Sequence, residues 1–215
     1  MRFTQRGGML TAVAFTALAL AAPATAAAAP ASSAQGTARA AKACNTVTAT
    51  IPVGTPSLLR GAAADSKTNT IYVANGFGNV LVISGRTNTV TATIPVASFF
   101  PSGVTVDIKT NTIYVTNQED TTVTVISGRA NTVTATIPVG TPSVGVAADT
   151  KTNTIYVTND EDNTVSVISG RTNTVTATIP VGRIPLGVAA DTKAKAIYVA
   201  NSDSGTVSVL AACRK

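Results

Sequence analysis

Tyr72, Tyr114, Tyr156 and Tyr198 stand 42 residues apart, and Asp65, Asp107, Asp149 and Asp191 keep the same interval. Ile-Pro-Val begins at positions 51, 94, 137 and 179. No other property of the chain restricts its fold so strongly. A period of about 40 to 45 residues built from short alternating strands is the mark of propeller blades. One such unit cannot bury its apolar face alone, so copies must stack on one another. The expected fold is therefore all-β, a β-propeller of four four-stranded blades.

The third unit shows the grammar. Residues 145–149 (GVAAD) form a short first strand, and 150–153 (TKTN) a turn. Residues 154–159 (TIYVTN) form a second strand, followed by an acidic loop at 160–163. Residues 164–168 (TVSVI) alternate with period two, as a third strand does. The fourth, 173–181 (NTVTATIPV), places Val175, Ala177, Ile179 and Val181 on one face and threonines on the other. Pro180 cannot donate to a ladder, which puts this strand at the outer edge. The small Gly/Ala-rich first strand suits the crowded axis.

Residues 154–159 (TIYVTN), 163–168 (NTVSVI) and 178–182 (TIPVG) resemble the YVTN family of β-propeller repeats. The motif returns as IYVTN at 113–117 and as IYVAN at 71–75 and 197–201. The resemblance covers residues 45–210. It implies the propeller fold and a secreted or surface location, and it implies no one activity. Propellers of that family more often carry about seven blades, within the usual span of about 4 to 8.

The ends of the repeat region are complementary. Residues 45–53 (NTVTATIPV) have the sequence of a fourth strand with no blade before them, and the last unit reaches Leu210 with only a third strand. The ring is expected to close by the N-terminal strand joining the last blade. Superposing the third unit on this junction puts Cys213 at the position of Arg171 and Cys44 at that of Thr172. These are adjacent turn positions, so a Cys44–Cys213 disulfide would replace the missing connection, with two free thiols as the alternative. Such a bond persists in an exported chain. A closed monomer is favoured, because an intramolecular junction has the higher effective concentration. Two chains sharing an eight-bladed ring would make the same local contacts.

Three segments follow. Residues 1–26 carry Arg2 and Arg6, a 14-residue uncharged apolar run at 9–22, and small residues suited to cleavage. That is a signal peptide, too short for a membrane span of about 20 residues. Residues 27–43 are an Ala/Ser/Pro-rich linker, and 44–215 form the propeller. The expected location is secreted, either extracellular or associated with the cell envelope.

The formal charge of +6 suggests an anionic partner. Four of the sixteen cations (Arg2, Arg6, Arg39 and Lys42) precede Cys44, which leaves twelve against ten acids in the propeller. The chain has no His and only two Cys. That excludes His-based nucleophiles, proton shuttles and metal ligands, and a four-thiolate site.

Repetition separates scaffold from candidate site. A residue present in every unit is scaffold; one that breaks the pattern is a candidate. Phe77, Phe99 and Phe100 are the only phenylalanines beyond the signal peptide, and all fall in loops of one face of the first blade. Leu58, Leu59 and Arg60 enter that blade, and Arg183 is the other cation of this top face. These seven residues are the candidate contact site for a protein, glycan or small-molecule ligand. The competing reading is that the loops bury their own side chains. Asp160, Glu161 and Asp162 offer oxygens for Ca²⁺, though their spacing matches no EF-hand and a solvated loop explains them too.

The opposite, bottom face carries Lys67, Arg86, Lys109, Arg129, Lys151, Arg171, Lys193 and Lys195. A basic ring of this kind suits an anionic cell-wall polymer. It lacks the interleaved aromatics of sequence-specific nucleic-acid readers. Three functions follow. The first is a non-catalytic secreted binding or scaffold propeller. The second is a metal-assisted hydrolase or lyase using top-face carboxylates. The third is an envelope protein held by its basic face. The missing His weighs against the enzyme.

Overall fold

The computed structural model describes residues 46–212. The signal peptide, the linker, Cys44 and Cys213 lie outside the described residues, and with them the disulfide. Fifteen strands and no helix occur among the described residues. No helix there is long and apolar enough to cross a membrane.

The first blade is β1 (Leu59–Asp65), β2 (Thr70–Asn75), β3 (Asn79–Ser84) and β4 (Thr89–Pro95). The second is β5 (Pro101–Asp107), β6 (Thr112–Asn117), β7 (Thr122–Ser127) and β8 (Thr132–Pro138). The third is β9 (Ser143–Asp149), β10 (Thr154–Asn159), β11 (Thr164–Ser169) and β12 (Thr174–Pro180). The fourth has three strands, β13 (Pro185–Asp191), β14 (Ala196–Asn201) and β15 (Thr206–Ala211). Each blade is an antiparallel meander in chain order. This is a β-propeller-like arrangement of four sheets.

The repeated side chains make the turns. Oδ1 of Asp65, Asp107, Asp149 and Asp191 accepts the backbone N–H two residues on, at 2.8 to 2.9 Å. Asn69, Asn111 and Asn153 then adopt φ of 53 to 55°, a left-handed conformation that Asn tolerates. The last blade puts Lys195 in this role at φ 57°. Pro95, Pro138 and Pro180 end the outermost strands, where no ladder bond is lost.

Blades pack in sequence. Tyr72, Val80, Val82 and Ile94 of the first blade bury against Val104, Val106, Ile113 and Val115 of the second. The same positions repeat between the second and third blades and between the third and fourth. At the axis, β1 neighbours β5, β5 neighbours β9 and β9 neighbours β13; no comparable contact joins β13 to β1. Gly61, Gly103 and Gly145 allow this approach. A side chain at any of them would strike the carbonyl of Ser102, Val144 or Leu186 in the next blade.

Two expectations differ from what is observed. The sixteenth strand is not formed, because residues 47–53 take no regular structure. Their nine-residue sequence at 45–53 is the same as that of the outer strands at 88–96, 131–139 and 173–181. Those three copies follow their partner strand through a short turn, whereas among the described residues no strand precedes the first copy. Secondly, Tyr198 does not share the burial of the other three tyrosines. It is 41% exposed, against 1%, 0% and 4% for Tyr72, Tyr114 and Tyr156.

Candidate functional site

The first blade departs from the repeat inside the sheet before it departs in the loops. In the other blades the Asn that ends the second strand donates Nδ2 to hydroxyls of the third. Asn117 reaches Thr122 and Thr124, Asn159 reaches Thr164 and Ser166, and Asn201 reaches Thr206 and Ser208, all at 2.8 to 3.1 Å. The first blade has the buried Leu81 where the others have Thr124, Ser166 or Ser208. Asn75 Nδ2 there keeps a single third-strand partner, donating to Asn79 Oδ1 at 3.3 Å, and its Oδ1 accepts the N–H of Leu58 in the entry loop at 2.8 Å. Leu81 and Asn75 were not among the candidates, though Leu81 breaks the pattern and was visible in the sequence.

From Leu58 a backbone relay of three hydrogen bonds ties four loops together. Gly76 N–H donates to the Leu58 carbonyl (2.8 Å), Phe100 N–H to the Gly76 carbonyl (3.2 Å), and Gln118 N–H to the Phe100 carbonyl (3.2 Å). Arg60 lies over this relay. Its guanidinium carbon sits 5.4 Å from the centroid of the Phe100 ring, and Nη1 donates to Gln118 Oε1 at 3.2 Å. Phe100 itself has φ 58°, a strained backbone for an aromatic residue. Two of the three rings stand exposed, Phe77 at 52% and Phe99 at 68%, while Phe100 is half-buried under Arg60; Leu58 and Leu59 are exposed as well. Gln118 belongs to the cluster as well. It was missed because only apolar and charged departures from the repeat were weighed, and Gln118 is an uncharged polar residue where the third blade has Asp160.

Arg183 does not join this cluster. Its Nε pairs with Asp203 Oδ2 at 3.0 Å, and its backbone N–H donates to Ser204 Oγ, so it is engaged within the fourth blade. The acidic loop is also occupied internally. Asp162 accepts the backbone N–H and the hydroxyl of Thr141 at 2.8 and 3.2 Å, which ties the third blade to the loop before it. Among the described residues no three Cys, Asp or Glu side chains gather closely enough to hold a metal ion. Asp160, Glu161 and Asp162 are therefore not assembled into a calcium cage.

Lys67, Arg86, Lys109, Arg129, Lys151, Arg171, Lys193 and Lys195 are all exposed at the bottom turns. Among the described residues the one ion pair is Arg183–Asp203, so these eight charges face solvent. A small polar cleft opens on this face between the first two blades, lined by Thr68, Asn69, Arg86 and Asn131 with Tyr72. Tyr72 is a poor proton donor or acceptor near neutrality, since burial and then the charge of Asp65 raise its pKa. Tyr114 is pushed up to about 12 by burial first and by Asp107 second.

No family model matches the chain, and no curated protein matches it. The YVTN resemblance therefore stands on the residues quoted above. Among solved structures the chain is similar to hydrazine synthase of Kuenenia stuttgartiensis, at 19% identity and a TM-score of 0.68. That match covers 80% of this chain and 49% of the other. It is also similar to U3-55K, at 12% identity and a TM-score of 0.60, covering 74% of this chain and 53% of that one. Both are propeller-type folds, and at these identities they establish the fold alone. The chain spans about half the length of the structures it matches.

Proposed function

We propose that this chain is a secreted, non-catalytic binding or scaffold propeller of the YVTN type. Its ring is completed by residues 45–53 adding to the last blade, and its contact site is the top-loop cluster of the first blade. One observation carries the reading. Where the repeat is broken, Phe77, Phe99 and Leu58 on the loops and Leu59 at the start of β1 stand exposed, and a hydrogen-bonded relay joins those loops. Exposed aromatics on a fixed backbone lose little conformational freedom on binding, and they form the typical anchors of an interface. Arg60 stacked on Phe100 adds a cation and a planar donor at the edge of the patch.

The test begins with a screen of the purified chain against glycan and small-molecule arrays. The hits are then measured on Phe77→Ser/Phe99→Ser. The variant should lose binding at least tenfold while its melting temperature stays within about 2 °C, because both rings are more than half exposed. Unchanged binding would place the contact elsewhere.

The eight unpaired cations of the bottom face favour a second, compatible contact with an anionic cell-wall polymer. Retention on isolated cell walls should weaken steeply between about 50 and 200 mM salt. Salt-independent or absent retention removes that contact.

A further inference from the structure

The fourth blade keeps the features of an interface that nothing among the described residues covers. Its outward sheet face is Tyr198, Ala200, Val207 and Val209. The corresponding first-blade residues, Tyr72, Ala74, Val80 and Val82, are 3% exposed or less, because the second blade lies on them. On the fourth blade Tyr198 is 41%, Val207 61% and Val209 62% exposed.

The axis repeats this message independently. Gly61, Gly103 and Gly145 are glycine because the next blade's carbonyl occupies the space of a side chain. Gly187 continues the series in the fourth blade, yet only Ala200 Cβ, 3.7 Å away, comes near its missing side chain. A tolerant position remains glycine where the described chain gives it no reason to be. The bottom turns add a third sign. The Tyr72 and Tyr114 hydroxyls cap Gly128 and Gly170 of the following blade at 2.8 and 2.9 Å from where a side chain would start. Gly85, the first blade's equivalent, has only Asn69 atoms nearest it, while Tyr198 lacks a glycine to cap.

These surfaces fit each other because three internal junctions of the same kind already exist. The occupant of the fourth blade's face must therefore look like a first blade of this repeat. The chain's own first blade is poorly placed to serve. β13 makes no packing contact with β1 comparable to those between successive blades. A ring of four requires about 90° between blades and a ring of eight about 45°. The chain matches 49% and 53% of two longer chains of propeller-type fold, so its four sheets resemble part of a longer chain.

We propose that the fourth blade docks on the first blade of a second copy of this chain, and the reverse contact completes a two-chain, eight-bladed ring. Two identical junctions related by a twofold axis close the assembly, so it does not extend into a filament. The partner's residues 45–53 supply the fourth strand of the last blade, in the place β12 holds in the third. The inference rests on the ring reading above and decides which chain supplies that strand.

The full chain is weighed by light scattering and by electrophoresis without reductant. Two chain masses, from a 21.6 kDa chain, are expected, with Cys44 of one copy joined to Cys213 of the other. Val207→Glu/Val209→Glu should fall to one chain mass under reducing conditions with an unchanged β-sheet circular dichroism spectrum. Gly187→Val should do the same, since its side chain has room in the single chain but obstructs the junction. A one-chain mass with Cys44 joined to Cys213 inside that chain overturns the second copy and leaves the ring reading standing. A one-chain mass with free thiols overturns both. A two-chain mass unaffected by either variant overturns the docking face.

Discussion

Thr116→Val is the sharpest test of how successive blades are held together. Thr116 is fully buried in β6, opposite the irregularity at which the β5–β6 register shifts between Pro101 and Val104. The Thr116 hydroxyl accepts the Gly103 N–H at 2.8 Å, donates to the Val144 carbonyl of the next blade at 2.9 Å and lies 3.0 Å from the buried Ser102 hydroxyl, a contact Thr158 lacks because Val144 stands at that place. The side chain therefore replaces one ladder bond lost at the bulge and adds one between blades. Valine preserves the shape and removes all three contacts, so the Gly103 N–H, the Val144 carbonyl and the Ser102 hydroxyl each lose this partner. Each such group costs about 1 to 3 kcal/mol, so a loss near 3 kcal/mol is expected, or about 6 to 12 °C in Tm for a domain of this size. The comparison is Thr158→Val. Its second bond runs to the Leu186 carbonyl at 3.2 Å, at the exposed fourth blade, and water can replace that partner. Its cost should be about half as large. Urea unfolding of both variants, with m-values unchanged, is the assay. A Thr116→Val loss below about 0.5 kcal/mol would refute the clamp, as would equal losses at the two sites.

Other outcomes follow from the same structure. Tyr114 has its folded pKa raised from 10.0 to about 12, so its stabilisation is complete below pH 10 and disappears as pH rises through 12. Urea midpoints should fall across that window, and less steeply in Tyr114→Phe. Lys195→Asn should stabilise by about 0.5 to 1 kcal/mol in urea unfolding, because Asn tolerates the left-handed φ of 57° better than Lys. Replacing Lys67, Lys109, Lys151 and Lys193 by Glu should abolish retention on an anionic resin at low salt without moving the melting temperature by more than a few degrees.

Most of the architecture could be read from the repeat. The period fixed the number of sheets, Pro95, Pro138 and Pro180 fixed the outer strands, and the small residues around Gly103 and Gly145 fixed the inner ones. The turn role of the four aspartates followed from their place before the turn residues, and the hydrogen bonds agree. What the repeat could not convey was how a copy behaves when its neighbour differs. Residues 47–53 have full strand character and form no strand, because strand formation depends on a partner's edge and not on propensity alone. Tyr198 has the same sequence context as Tyr156 and a different burial for the same reason. At the candidate site, the phenylalanines were conspicuous by type. Leu81 was not, although it replaces a hydroxyl that the Asn of every other blade binds, and Asn75 is the one such Asn whose Oδ1 holds the entry loop, at Leu58 N–H.

The four outer-strand copies share one nine-residue text, at 45–53, 88–96, 131–139 and 173–181. Such a segment carries no address of its own. What assigns each copy to its sheet is the tether, the short turn that delivers it to the nearest edge. Identical untethered copies are interchangeable ligands for any vacant edge. If the proposed ring closure holds, a synthetic nonapeptide of this text should compete for the open edge of the last blade. The count of blades is an inheritance of the gene, while the fit between them is a property of the unit.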